Sequence, residues 1–421
     1  MTTKYRVEYA LKSHRRDGFI EWIKGLLAVP FILHSEPAAY IQRVESWEDA
    51  TTTTRQQYAA IMRDIEQLIA DSIANDTNGT PYLAKLRHLV PSVGRFFTHL
   101  PMEQAFYIED TKRAISCRRL VSPSFNDVRL ILNTAQVLSL SAGPEPLRLV
   151  TLDGDVTLYE DGKTLTHDSK VIPVLLELLK RDVAVGIVTA AGYGDPSGTK
   201  YKERLEGIIV AVHDSQELLP KQKRNLLVMG GESNFLFRFS VDSGTLVYVD
   251  PEEWILPEMK AWDEDDIQSL LDLAEEVICS CKEVMNLNGE IIRKDRAVGI
   301  VPLPDKKMIR EDLEEVVLGA QRRLEFSEVG RKLHFCAFNG GSDVWVDIGD
   351  KRLGVLALQK YLGNISGNQT LHVGDQFASI GANDFKARLA ACTVWVADPS
   401  ETVEALQQLR MFIDMAHEPG S

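Results

Sequence analysis

The stretch RLVTLDGDVTLYEDG, residues 148–162, decides the fold. A short apolar run, Leu147 to Leu152, ends in Asp153, and a turn-prone segment follows through Gly162. Such a run, bounded by turn residues, reads as a buried strand. At its end Asp153 and Asp155 share one face of the extended chain, where the loop opens into a crevice. Two carboxylates so close repel each other unless a cation neutralises them or one keeps its proton. A hard cation with oxygen ligands, Mg²⁺, meets that need. One carboxylate can then attack phosphorus while the other donates a proton and later activates water. A surface turn with two solvated acids is the competing reading; the preceding apolar strand and Thr157 weigh against it.

Outward from this stretch, Val171 to Lys180 reads as a helix, Val183 to Thr189 as a second buried strand and Ala190 to Gly198 as a glycine-rich loop. Strand, helix, strand in this order indicates a parallel α/β sheet. Residues 201–345 read differently, as an inserted α+β cap with strands around the Gly-Gly turn of LLVMGGESNFLFRFS and an amphipathic helix from Glu264 to Val284. The α/β pattern returns with a helix from Val355 to Leu362, a strand from Thr370 to Val373 and another from Thr393 to Val396. The expected core is therefore a Rossmann-like parallel sheet built from residues 146–200 and 346–421. Residues 1–145 form a helical domain, with apolar positions recurring at helical spacing at Phe19, Ile20, Trp22, Ile23, Leu26 and Leu27 and again from Tyr58 to Ile69. The hydroxyls of Thr51 to Thr54 suit a helix start before Arg55.

Composition narrows the function. The 421 residues carry a formal net charge of −14 and no long basic run, which argues against nucleic acid as a partner. Five cysteines without a CxxC pair or zinc spacing suit a reducing compartment. The polar start, MTTKYRVEYALKSHRRDG, lacks the apolar stretch of a signal peptide, and the run Gly25 to Leu33 is short and interrupted by Pro30. A cytoplasmic protein that spans no membrane is expected.

Three further motifs complete the pattern. GIVTAAGYGD ends a strand in Thr189, whose hydroxyl and the amides after it suit phosphate oxygens. DIGDKRLGVLAL sets Lys351 before a helix, where a lysine can neutralise charge as it develops. LHVGDQFASIGANDFKAR places Asp375 after a strand, able to complete a metal shell, with Asn383 and Asp384 beside it after a glycine turn. Each is ordinary alone; their order is not. Asp347, four residues before Lys351, is expected near the pocket or orienting that lysine, and Arg204 is a candidate for phosphate or ribose against a surface-helix reading. Glu232 and Asn234 are candidates for reading a base from the insert, against an ordinary hairpin. The basic groups His14, Arg15, Arg16 and Lys24, and Lys112, Arg113, Arg118 and Arg119, are candidates for an anionic effector, against solvated helix faces.

The four pieces, in this order, resemble the haloacid-dehalogenase superfamily over residues 147–400, and the wide spacing from Asp375 to Asn383 is similar to its phosphomannomutase-like branch. More narrowly, YRVEYALKSHRRDGFIEWIKGLLAVPFIL, LDGDVTLYEDG, GIVTAAGY, VMGGESNFLFRF, DVWVDIGDKRLGV and GDQF…GANDFKAR resemble the IMP-specific 5′-nucleotidases of fungi and apicomplexan parasites. That resemblance implies Asp153 as nucleophile and Asp155 as general acid and base. It implies Mg²⁺ held by the Asp153 carboxylate, the Asp155 carbonyl and Asp375, phosphate held by Thr189 and Lys351, and Asp161 touching substrate. It further implies inosine 5′-monophosphate as substrate, ATP as allosteric activator and a homotetramer organised by the helical domain. A sugar phosphomutase or sugar phosphatase of the same core, and a non-catalytic nucleotide sensor, are the competing readings.

Overall fold

The structure is a computed structural model that describes residues 17–35, 47–143, 145–378 and 381–417; His14, Arg15 and Arg16 of the first basic group lie outside them. The chain divides into two compact units, one of residues 1–146 with 392–395 and 405–421, the other of residues 147–391 with 396–404.

The first unit is helical, built on α1 (Gly18–Ser35), α2 (Trp47–Thr77), α3 (Met102–Arg113) and α4 (Phe125–Ala142). Phe19, Ile20, Ile23 and Leu27 of α1 and Tyr58, Met62, Ile65 and Ile69 of α2 are buried, the stripe that a 3.6-residue period dictates. Met62, rather than Ile61, points inward. Helix α2 begins about a turn before the expected start, so the Thr51 and Thr54 hydroxyls do not cap it. They accept hydrogen bonds from Arg119 at 3.1 and 2.9 Å. A capping box starts α4, with Ser124 Oγ accepting from Asp127 N at 3.1 Å and Asp127 Oδ2 accepting from Ser124 N at 2.8 Å.

In the second unit β1 (Leu149–Leu152), β2 (Ala184–Val188), β3 (Leu226–Gly230), β4 (Phe235–Ser240), β5 (Thr245–Tyr248) and, much later in the chain, the strand Thr370–Gly374 form one sheet. The late strand pairs parallel with β1, which pairs parallel with β2 and it with β3; β4 and β5 add antiparallel. Strands β1, β2 and β3 are buried at every position, as the interior of a sheet covered on both faces requires. The sheet core also takes Leu353, Val355 and Leu358 from the helix Lys351–Tyr361. Gly186 is needed there, since a Cβ would lie 2.7 Å from Leu358 Cδ1.

The insert is shorter than residues 201–345. Residues 226–248 belong to the core sheet, and a separate four-stranded antiparallel sheet is made by β6 (Gly289–Arg293), β7 (Ala297–Pro302), β8 (Phe335–Asn339) and β9 (Val344–Ile348), in the order β6-β7-β9-β8. Helices α5 (Glu264–Met285) and α6 (Arg310–Glu325) pack on it through Leu270, Ala274, Ile278, Val316 and Ala320. The burial pattern explains the difference. LLVMG in β3 is buried throughout, whereas β6 shows the wet face of a sheet covered on one side only. The helix Lys351–Tyr361, here α7, follows the cap directly, and the Thr370–Gly374 strand is β10.

Candidate active site

Asp153 emerges at the carboxyl end of β1, its amide bonded to Val373 O of β10 at 2.9 Å. Lys351 opens α7, fully buried, with its ammonium 2.6 Å from Asp153 Oδ1 and 2.6 Å from Asp384 Oδ1. Asp384 Oδ1 also meets His372 Nε2 at 3.1 Å, and Asp384 Oδ2 accepts from Gln376 N at 2.9 Å. His372 in turn meets Thr151 Oγ1 through Nδ1 at 2.9 Å. One buried chain of contacts thus joins the first strand motif, the lysine helix and the loop after β10. Burial pushes Asp153 up to about 6, with Lys351 pulling the other way. For Asp384 burial is outweighed by Lys351 and His372, which bring it down to about 2. Burial works against the charge of Lys351, but the surrounding carboxylates win and hold it protonated far above its ordinary value.

Asp155, two residues on, lines the same cavity as Asp153. Its Oδ1 accepts from Gly162 N at 3.1 Å and its Oδ2 pairs with Arg204 Nη1 at 3.1 Å. Arg204 is therefore half-buried rather than solvated; it pairs with Asp155 and lies over the Tyr159 ring at 5.9 Å. Thr189 follows β2 directly, its Oγ1 accepting from Ala191 N at 3.1 Å.

These groups share a cavity of about 400 Å³, lined by Asp153, Asp155, Thr189, Arg204 and Asp375 from the core and closed by Lys294, Phe338, Asp343 and Trp345 from the cap. Asp161 lies at its rim against the cap's β8–β9 turn, where a Cβ on Gly341 would sit 3.0 Å from Asp161 Oδ2. Asn383 also lines it, while Asp384 stays beneath in contact with Lys351.

Asp347 sits elsewhere. It is buried on β9 and lines a neighbouring cavity of about 320 Å³ with Lys294, Lys200 and Tyr193, so it does not reach the Asp153 side. Burial and Asp343 push it up to about 8, against the opposing pull of Lys294. Glu232 and Asn234 also depart from the base-reading expectation, because their turn joins β3 to β4 in the core. Asn234 Nδ2 donates to Gly231 O and to Ile348 O, each at 2.6 Å, which ties the core to the end of the cap. The second basic group is spent internally: Arg113 and Arg118 hold Asp127, and Lys112 holds Glu109.

Sequence reasoning overlooked His372 and Lys294. A histidine inside the apolar run LHVG was the available signal for the first. Nothing local marked Lys294, whose ammonium lies 3.9 Å from the Trp345 ring centroid.

Asp153, Asp375 and Asp384 offer carboxylate oxygens within 4.8 Å of one another. Asp384 is already engaged by Lys351, His372 and the Gln376 amide, so Asp153 and Asp375, which face the cavity, are the pair suited to a divalent cation. Burial, Asp153 and Asp384 drive Asp375 well above the ordinary carboxylate range, the strain a bound cation relieves. The all-oxygen donor set fits such an ion.

A parallel sheet with an acid pair after its first strand, a hydroxyl after its second, a buried lysine opening a helix and acids after a later strand defines a phosphatase of the haloacid-dehalogenase type. The family model described as IMP-specific 5′-nucleotidase matches residues 1–406, and the chain belongs to that family. It is 57% identical to the IMP-specific 5′-nucleotidase 1 of Yarrowia lipolytica, over 98% of each chain, and 49% identical to that of Saccharomyces cerevisiae, over 97% of this chain and 99% of the relative. Among solved structures, an IMP-bound mutant of Plasmodium falciparum IMP-nucleotidase superposes with a TM-score of 0.79 at 33% identity, covering 94% of each chain. The ATP-bound form of that enzyme gives 0.77 at 32%, over 97% of this chain and 88% of the other. The family implies a divalent metal, and no helix of the described residues is long and apolar enough to cross a membrane.

Proposed function

We propose that this chain hydrolyses inosine 5′-monophosphate to inosine and phosphate, through a phosphoryl group carried on Asp153. The observation that carries the reading is the Asp153–Lys351–Asp384 cluster at the floor of a cavity that the cap closes. The phosphate enters toward Thr189 and Lys351, and the nucleoside extends toward Asp161, Arg204 and the Trp345 ring. Asp153 attacks phosphorus in line with the departing 5′-oxygen, and Asp155 gives that oxygen its proton. A water molecule then attacks the same phosphorus, Asp155 takes its proton, and the Asp153 carboxylate is released. Lys351 offsets the charge that Asp153 and the phosphoryl oxygens share, in a setting where water is excluded and fixed charges act strongly. Asp153, Asp375 and the Asp155 carbonyl are the groups assigned to Mg²⁺, which when bound supplies Lewis-acid stabilisation of phosphoryl charge.

Activation by ATP is part of the proposal, supported by the ATP-bound form of the Plasmodium relative. A tetramer organised by the helical unit and a cytoplasmic location also belong to it; the thiols, all free, fit a reducing compartment. The test is phosphate release from a panel of nucleoside monophosphates and sugar phosphates with Mg²⁺, with EDTA and with added ATP. Release from IMP that needs Mg²⁺ and rises with ATP is expected. Release from sugar phosphates instead keeps the chemistry and discards the substrate; isomerised sugar phosphate without free phosphate identifies a mutase.

A further inference from the structure

Glu232 is fully buried in the tight turn between β3 and β4. Its amide donates to the carbonyl of Thr189, the residue assigned above to phosphate, at 3.0 Å. Its own carbonyl lies against the first turn of α7, where a Cβ on Gly354 would come within 2.3 Å of it. Its Oε1 accepts from Asn383 Nδ2 at 3.1 Å, next to the Asp384 that holds Lys351. The backbone at Glu232 is left-handed, with φ +62°, a conformation that a glycine adopts without strain and a glutamate does not. The local backbone therefore does not call for this side chain; its bond to Asn383 does, while the Thr189 and α7 contacts are made by the main chain.

We infer that Glu232 is a positioning residue, which through Thr189, α7 and Asn383 locks the three loops that hold the phosphate site in one register. This rests on the proposed phosphatase reading. Burial keeps the Glu232 carboxyl well above the ordinary range, against the pull of Lys351. Its bond to Asn383 leaves the Lys351 ammonium bonded to Asp153. The side chain thus serves as a hydrogen-bond acceptor of fixed length toward Asn383. Glutamine, of the same shape, fills that role; alanine does not.

The experiment measures kcat and KM for Mg²⁺-dependent IMP hydrolysis by the full chain and by Glu232→Ala, Glu232→Gln, Asn383→Ala and the Glu232→Ala/Asn383→Ala double variant, with thermal melting recorded for each. Misplacement of reacting groups by about 1 Å can cost on the order of 10²-fold in rate. Glu232→Ala is expected to lower kcat about 10- to 100-fold with KM nearly unchanged, and Glu232→Gln to restore kcat to within about threefold. The double variant should be no worse than the poorer single variant, since both remove one contact. If Glu232→Ala does not fold, the glutamine variant decides alone. Loss of kcat in a folded Glu232→Gln, wild-type kcat in Glu232→Ala, or strictly additive losses would overturn the inference. An inactive wild-type chain would instead overturn the phosphatase reading on which it stands.

Discussion

Two charge clusters built around buried carboxylates follow opposite principles in this molecule. In the helical unit one carboxylate, Asp127, is shared by Arg113 at 3.1 Å and Arg118 at 2.6 Å and by the Ser124 cap, so cations outnumber the acid. In the α/β unit Lys351 faces Asp153, Asp384 and Glu232, with Asp375 close by, so acids outnumber the cation. The first is a closed arrangement that needs nothing more and ties α3 to the start of α4. The second keeps an excess of negative charge under a cavity, a state that burial makes costly and that a bound cation relieves. A cluster whose acid is fully paired is a fastening, and one with acids to spare is a site.

The comparison can be broken by removing members of each cluster. Asp153→Asn is the largest change, and it should leave no phosphate release above background while the fold persists. Asp155→Asn, which touches neither Lys351 nor the buried acids, should lower kcat on the order of 10²- to 10⁴-fold and leave a measurable enzyme. Lys351→Met should lose about 10²- to 10³-fold in kcat and, by stranding its acids, also lower the melting temperature. A Lys351→Met protein as stable as wild type would show that the acids are not held in unrelieved proximity.

The smallest effect belongs to the Asp127 cluster. Burial would raise Asp127, but Arg118, Ser124 and Arg113 prevail and bring it down to about 2. A carboxylate lowered on folding stabilises the fold above its unfolded value near 4, and that contribution disappears as pH falls from about 4 to about 2. With Arg113 and Arg118 partly solvated, roughly 1–2 kcal/mol is expected. Asp127→Asn should therefore lose that much stability at pH 7 with unchanged kcat, and converge on the wild type near pH 2 in denaturant titrations. A pH-independent difference would contradict this account of the cluster.

Much of the site was legible because its residues stand at recognisable places in the chain. Asp153 ends an apolar strand, Thr189 ends the next, Lys351 opens a helix and Asp375 follows Gly374, so topology alone brings them to one edge of the sheet. Arg204 was harder, since a short polar helix looks solvated until the Asp155 pair is seen at 3.1 Å. The roles of Glu232 and His372 were hidden for a different reason. Each acts through a partner 151 or 12 residues away, Asn383 and Asp384, and no periodicity encodes such a pairing. The cap boundary failed because LLVMGGESNFLFRFS spells strand, turn and strand in either domain. Only its parallel pairing with β2 assigns it to the core.

The central claim is that Asp153 carries the phosphoryl group. Its direct test is rapid acid quench of the chain turning over IMP with Mg²⁺, followed by mass spectrometry of the peptide containing residues 148–162. The account predicts a phosphorylated Asp153 that appears within the first turnover, decays when substrate is exhausted and accumulates when Asp155 is replaced by a residue unable to activate water. Phosphate release at wild-type rate from Asp153→Asn, or turnover with the phosphoryl group found on another residue, would contradict it.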